Sequence, residues 1–285
     1  MEGILSGLFG LMGRLLPFPF AEPAFMKRAL LGLLLVAPAA AAIGVPLVQH
    51  RMAFFSDAIG HSAFTGVALG LILGVSPSWT VAAFGAVVAV AIVLVRGRTG
   101  LSPDTVTGVF FSAVVAFGIA VISRERGLTR NLQAFLYGDL LAVTDAELSW
   151  MAFLFLLVAG YLLLLYNRIL LLGIHEGFAR AKGVPARAVE ISFALVVALV
   201  VTAGIRAVGI LLVTALLVIP AAAARNVARG AAPAMWISVG IALLSGVSGI
   251  AASWYLDTAT GATVVLAAAL CFALTVLYRS VRPER

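Results

Sequence analysis

Runs of about 20 apolar residues recur along this chain, and each is long enough at about 1.5 Å per helical residue to cross a bilayer core about 30 Å thick. Nine can be read, at 29–48, 53–74, 79–95, 104–123, 148–172, 187–205, 208–225, 232–254 and 260–279. Only 11% of the residues are charged, against roughly 25% in an ordinary soluble domain. A soluble enzyme and a disordered chain are both excluded. The expected fold is all-α and polytopic, with about nine transmembrane helices. Residues 29–281 are expected to form one transmembrane domain, and 282–285 a short tail. Residues 3–20 are apolar but hold Arg14, Pro17 and Pro19 and lack the form of a secretory signal, so the first 28 residues are expected to lie along the interface.

The net charge of +7 comes from 19 basic and 12 acidic residues. In a soluble chain it would suggest nucleic acid, but here the basic residues sit in short loops, as the positive-inside rule requires. Arg51, Arg96, Arg98, Arg180, Lys182, Arg187, Arg225, Arg229 and the tail arginines all fall on one side of nine alternating spans. That side is expected to be cytoplasmic, with the N-terminus outside. Lys27, Arg28, Arg124, Arg126 and Arg130 run against this majority. Gly66, Gly70 and Gly74 make two successive GxxxG spacings in the second span, which let another helix approach closely. The single cysteine, Cys271, excludes a disulfide framework.

Ionisable groups at bilayer depth are costly and mark a pathway by default. Most of the twelve acids lie in loops or at span ends, where they reach water. Asp57 and His61 do not: they stand four residues apart in the second span, on one helix face. A carboxylate and an imidazole so placed suit a borderline divalent cation such as zinc, manganese or iron; they equally suit a hydrogen bond to each other with no ligand. Ser56, Gly60, Ser62 and Thr65 surround the pair, and this polar, small-residue stretch is expected to break easily, as transporter helices do at a substrate site. His50, next to Arg51, is expected in solvent or headgroups. Glu190 is expected near water at a span start. His175-Glu176 opens like the zinc-protease motif HExxH, but Ala179 stands where the second histidine belongs. No GxxxxGK[ST] loop is present, so the chain has no P-loop of its own for ATP. The segment 173–187 reads as a short polar helix stopped by Gly183 and Pro185.

Three stretches, in order, resemble the permeases of manganese, zinc and iron ABC importers. They are 52–70 (MAFFSDAIGHSAFTGVALG), 131–143 (NLQAFLYGDLLAV) and 209–225 (GILLVTALLVIPAAAAR), and the likeness extends over nearly the whole chain. The resemblance implies a fold similar to the vitamin and siderophore importers. It implies a homodimer, two cytoplasmic ATPase subunits that alone bind ATP, an extracytoplasmic metal-binding protein, and divalent metal as cargo with no resident cofactor. The family's paired Asp and His fall on Asp57 and His61, implying a transient translocation or gate site. Its cytoplasmic coupling helix, ending in Ala-x-x-x-Gly, falls on 174–184 with Ala179 and Gly183 at the matching positions. Members usually carry an acid where His175 stands; here Glu176 follows it.

Three functions therefore compete. The first is the permease subunit of an ATP-driven metal importer. The second is a stand-alone carrier or channel, proton-coupled through Asp57 and His61. The third, an intramembrane metalloprotease, fails for want of HExxH and a third ligand.

Overall fold

The computed structural model describes Phe20, residues 22–123 and residues 140–281. Residues 1–19 and 21 of the N-terminal segment expected at the interface, residues 124–139 of the loop 124–147, the first part of the 131–143 motif and the tail 282–285 lie outside the described residues.

Among the described residues are nine helices long and apolar enough to span a membrane, and no strand. They are α1 (Ala24–Gln49), α2 (Ala53–Leu73), α3 (Pro77–Arg96), α4 (Pro103–Ser123), α5 (Asp145–Ile174), α7 (Ala186–Val208), α8 (Ile210–Val227), α9 (Ala231–Leu256) and α10 (Thr260–Val281), with the short α6 (Glu176–Ala181) between α5 and α7. The expected spans agree within a few residues, because apolar length alone sets them. The largest difference is at α1, which begins at Ala24 and takes in Lys27 and Arg28. Arg28 is satisfied there by Asp145 at the start of α5, with 2.8 Å between Nε and Oδ1. Local chemistry sets other starts. Pro77 opens α3, and Thr144 and Glu147 form a reciprocal capping box at the head of α5.

The arrangement centres on α1, 72% of whose apolar window is buried inside the protein, against 17% for α10 at the periphery. Helix α1 packs on α5, α8 and α9, whereas α2 lies between α3 and α4 and α3 runs along α7. The close approaches come from small residues, as packing without a hydrophobic driving force demands. A Cβ on Gly66 would stand 2.6 Å from the Val81 Cα, and one on Gly70 3.0 Å from the Pro77 Cα, so α2 and α3 meet backbone to backbone. Gly74 does something else. Its φ of 65° makes it the left-handed cap that ends α2, with no neighbour to approach.

Candidate metal passage and coupling segment

Helix α2 runs unbroken through its polar stretch, contrary to the expectation of an easily broken helix. The reason lies in the hydroxyls. Ser56 and Ser62 donate to the carbonyls of Ala53 and Ile59 within the helix, and Thr65 donates at 3.1 Å to the Val114 carbonyl of α4. All three side chains are buried; the two serines are satisfied within α2, and Thr65 ties it to α4.

Asp57 and His61 are half-buried. The Thr214 hydroxyl of α8 interacts with the Asp57 carboxylate. The His61 ring meets Phe111 of α4 edge-on, 4.9 Å between centroids, and lies 5.9 Å from Phe64. The pair is thus set between α4 and α8. His61 Nδ1 lies 2.9 Å from the main-chain carbonyl oxygen of Asp57. A carbonyl only accepts, so Nδ1 carries a proton, and in the neutral form of the ring the lone pair is on Nε2. The Asp57 carboxylate is not consumed by this bond. Hence the alternative in which the two side chains merely satisfy each other is not the arrangement found. Among the described residues no three His, Cys, Asp or Glu side chains gather as a metal-holding group.

The coupling segment takes its shape from its own sequence. His175 caps α6, its Nδ1 accepting from the Phe178 N–H at 3.1 Å. Glu176 and Arg180 pair one turn apart. Gly183 has a φ of 77°, and the Gly183 and Val184 N–H groups donate to the carbonyls of Arg180 and Ala179, closing the helix as a Schellman motif. Ala179 faces inward. It is 0% exposed, packed within its own chain, so its small size lets α6 sit against the bundle. The exposed large apolar residues of the segment are Ile174 and Phe178, with the Lys182 ammonium 5.0 Å above the Phe178 ring.

Sequence reasoning missed one cluster, at the arginine-rich end of the bundle. His50 is buried, not solvated: its Nε2 donates to the Ile169 carbonyl of α5 at 3.0 Å, and its ring lies 5.8 Å from Phe193 of α7. Beside it, Arg96 at the end of α3 holds Glu190 of α7, 3.5 Å between Nη2 and Oε1, with both side chains only about one-fifth exposed. The Arg96 Nη1 also donates to the Met52 Sδ at 3.4 Å. Glu190 therefore faces a guanidinium where water was expected. The partners of His50 and Glu190 lie about a hundred residues away in sequence, so no local pattern announced them.

The profile of the ABC 3 transport family matches residues 22–279. The chain belongs to that family. It is similar to the high-affinity zinc uptake system membrane protein ZnuB of Haemophilus influenzae, 30% identical over 262 residues that cover 92% of this chain and 98% of that protein. It is also similar to the manganese transport system membrane protein MntC of Halalkalibacterium halodurans, 30% identical over 90% of this chain and 87% of the relative. The chelated iron transport system membrane protein YfeD of Yersinia pestis is 29% identical over 93% of this chain and 89% of the relative. Among solved structures, the fold is similar to PsaBC from Streptococcus pneumoniae in complex with Fab, with a TM-score of 0.77, 25% identity and coverage of 96% and 95% of the two chains. Family membership and nine apolar helices make the chain a multi-pass transport permease of a bacterial cell membrane.

Proposed function

We propose that this chain is the permease subunit of an ATP-driven importer of a divalent transition metal, zinc, manganese or iron, with Asp57 and His61 as its transient ligands. The observation that carries the reading is the His61 ring, fixed by its Nδ1–H on the Asp57 carbonyl so that Nε2 retains a coordinating lone pair one turn from a carboxylate. A dication leaving water must replace its ligands and have part of its charge offset; an imidazole and a carboxylate do both. Two ligands of this kind per chain suit a site that releases its ion, as conduction requires.

Two copies of the chain are proposed to face each other across the half-buried side of α2, so that a carboxylate and an imidazole from each surround the ion. An isologous pair also presents two α6 segments to two ATPase subunits. In this arrangement the arginine-rich end faces the cytoplasm. Glu176 and the exposed Phe178 meet the ATPase, and His175, Ala179 and Gly183 hold α6 in the shape that docks. A separate extracytoplasmic protein supplies the metal. The relatives named for zinc, manganese and chelated iron transport support the cargo class. Family membership disfavours the stand-alone proton-coupled carrier.

The test is reconstitution in liposomes with a partner ATPase subunit and an extracytoplasmic metal-binding protein, scoring uptake of zinc, manganese and ferrous iron. Accumulation is expected only with ATP. Accumulation by the chain alone under a proton gradient would overturn the reading in favour of the carrier.

A further inference from the structure

The cluster around Arg96 joins the ends of four spanning helices, and nothing in the passage itself requires it. Arg96 closes α3, Glu190 lies in the second turn of α7, His50 ends α1 and Met52 opens α2. Helix α5 bears on the same place: a Cβ on Gly173 would stand 3.0 Å from the His50 Nε2, so the last turn of α5 rests on the imidazole. One residue, His175, separates that turn from α6. The charges of Glu176 and Arg180 in α6 act on Glu190.

We propose that the Arg96–Glu190 pair, seated against His50, is a strut that carries displacement of the α6 segment to the start of α2 and so positions Asp57 and His61. The proposal rests on the transport reading above and names positioning residues for it. Three observations support it. The planar guanidinium makes two directed contacts at once, to the Glu190 carboxylate and to the Met52 sulfur, which an ammonium does less rigidly. Met52 lies five residues before Asp57 on the same helix, so a shift at its side chain is a shift of the ligand-bearing turns. The partly open cavity lined by His50, Met52, Arg96, Ile169, Glu190 and their neighbours has about 10 Å³ of room, hardly enough for one water, so these side chains pack closely on one another. Stability alone is a weak reason for the pair, since a well-packed apolar replacement of a desolvated ion pair is often as stable. A second metal site is also a poor account, because the guanidinium already occupies the carboxylate that a dication would need.

The experiment uses the full complex of the chain with its ATPase and follows two spin-label distances from Cys271 on α10. One runs to Ala181→Cys at the end of α6 and the other to Phe54→Cys at the start of α2. On adding a non-hydrolysable ATP analogue, both distances are expected to shift in the otherwise native protein. In Glu190→Gln the α6 shift is expected to persist while the α2 shift falls at least about fivefold, the lower end of coupling between distinct sites. The exchanged pair, Arg96→Glu with Glu190→Arg, should recover it. Equal α2 shifts in Glu190→Gln and native protein, no α2 shift in native protein, or no recovery in the exchanged pair would overturn the strut. If the charge variants do not assemble, Arg96→Lys decides: it keeps the charge, and a full native α2 shift in it overturns the proposal as well. Metal uptake by the same native complex is read separately. Uptake lost with the linked shifts intact removes the transport reading alone, and uptake intact with an unlinked α2 removes the strut alone.

Discussion

Two regions of this protein contain the same chemical pair, one carboxylate and one imidazole, in opposite circumstances. Asp57 and His61 stand one turn apart on one helix, half-buried, the carboxylate beside the Thr214 hydroxyl and the imidazole bonded through Nδ1 to a main-chain carbonyl. Glu190 and His50 come from different helices, and each is already engaged, by Arg96 and by the Ile169 carbonyl. The first pair keeps its coordinating capacity; the second spends it on holding helices together. Residue type therefore says little about role at bilayer depth. The partner decides, because a neighbouring cation or carbonyl removes a group from the ligands on offer.

The largest effect that tests this contrast is on uptake. Asp57→Asn and His61→Ala are each expected to cut metal uptake by more than roughly 100-fold, since even outer-sphere partners of a ligand are worth about 10–100-fold. Folded yield and ATPase docking should stay near native. Loss of folded protein in the single variants, partly rescued when both positions are made apolar, would place this pair in the same structural class as the other and erase the contrast.

His50→Ala should behave in the reverse way. It removes a buried ring packed on Phe193 and leaves the Ile169 carbonyl without its donor, which predicts a loss of about 2–4 kcal/mol in stability. Thermal unfolding in detergent measures it, with native behaviour as the disconfirming result.

A smaller and more specific effect follows from pH. Burial holds the His50 imidazole below its ordinary value of 6.5; the bond to Ile169 opposes this and the nearby Arg96 adds to it. The unfolded chain thus takes up a proton near pH 6.5 that the folded chain refuses, so the contribution of His50 to stability is complete above that pH and declines as pH falls below it. The melting temperature should be flat in this respect from pH 8 to 7 and drop toward pH 5.5, with the drop reduced in His50→Gln. The groups facing His50 across the cavity are Arg96 and Glu190, so the same scan in Glu190→Gln separates their share. Identical slopes in all three proteins would remove His50 as the cause.

The smallest effect concerns α6. Gly183→Ala forces a left-handed backbone on an L-residue at a cost of about 1 kcal/mol, with open space around the new methyl. Uptake should fall only slightly. Ala179→Phe, by contrast, has no room and should displace α6 and uncouple ATP hydrolysis from uptake. Equal behaviour of the two variants would mean that α6 is only a connection.

The nine spans were legible because hydropathy and length determine them residue by residue, and Asp57 with His61 was legible because both lie in one span. The roles of single residues read less well where they depend on a distant neighbour. The chain around His50 reads as a polar turn beside Arg51, yet Ile169 and Gly173 of α5 close over it. Ala179 and Ser62 show the same limit: a small or polar residue suggests an opening, whereas the packing of α6 and the carbonyl of Ile59 leave none. Gly74 shares the spacing of Gly66 and Gly70 but differs in φ, which no spacing reveals.

The contact of Arg96 with Met52 places a fulcrum at the root of α2. At 1.5 Å per residue, Asp57 stands about 7.5 Å along the arm and His61 about 13.5 Å. A tilt of about 10° about that root would carry Asp57 about 1.3 Å and His61 about 2.3 Å, while a metal–ligand bond tolerates only about 0.2 Å. At the proposed site the imidazole would therefore pass that tolerance at a smaller tilt than the carboxylate, and would be the first of the two ligands to let an ion go.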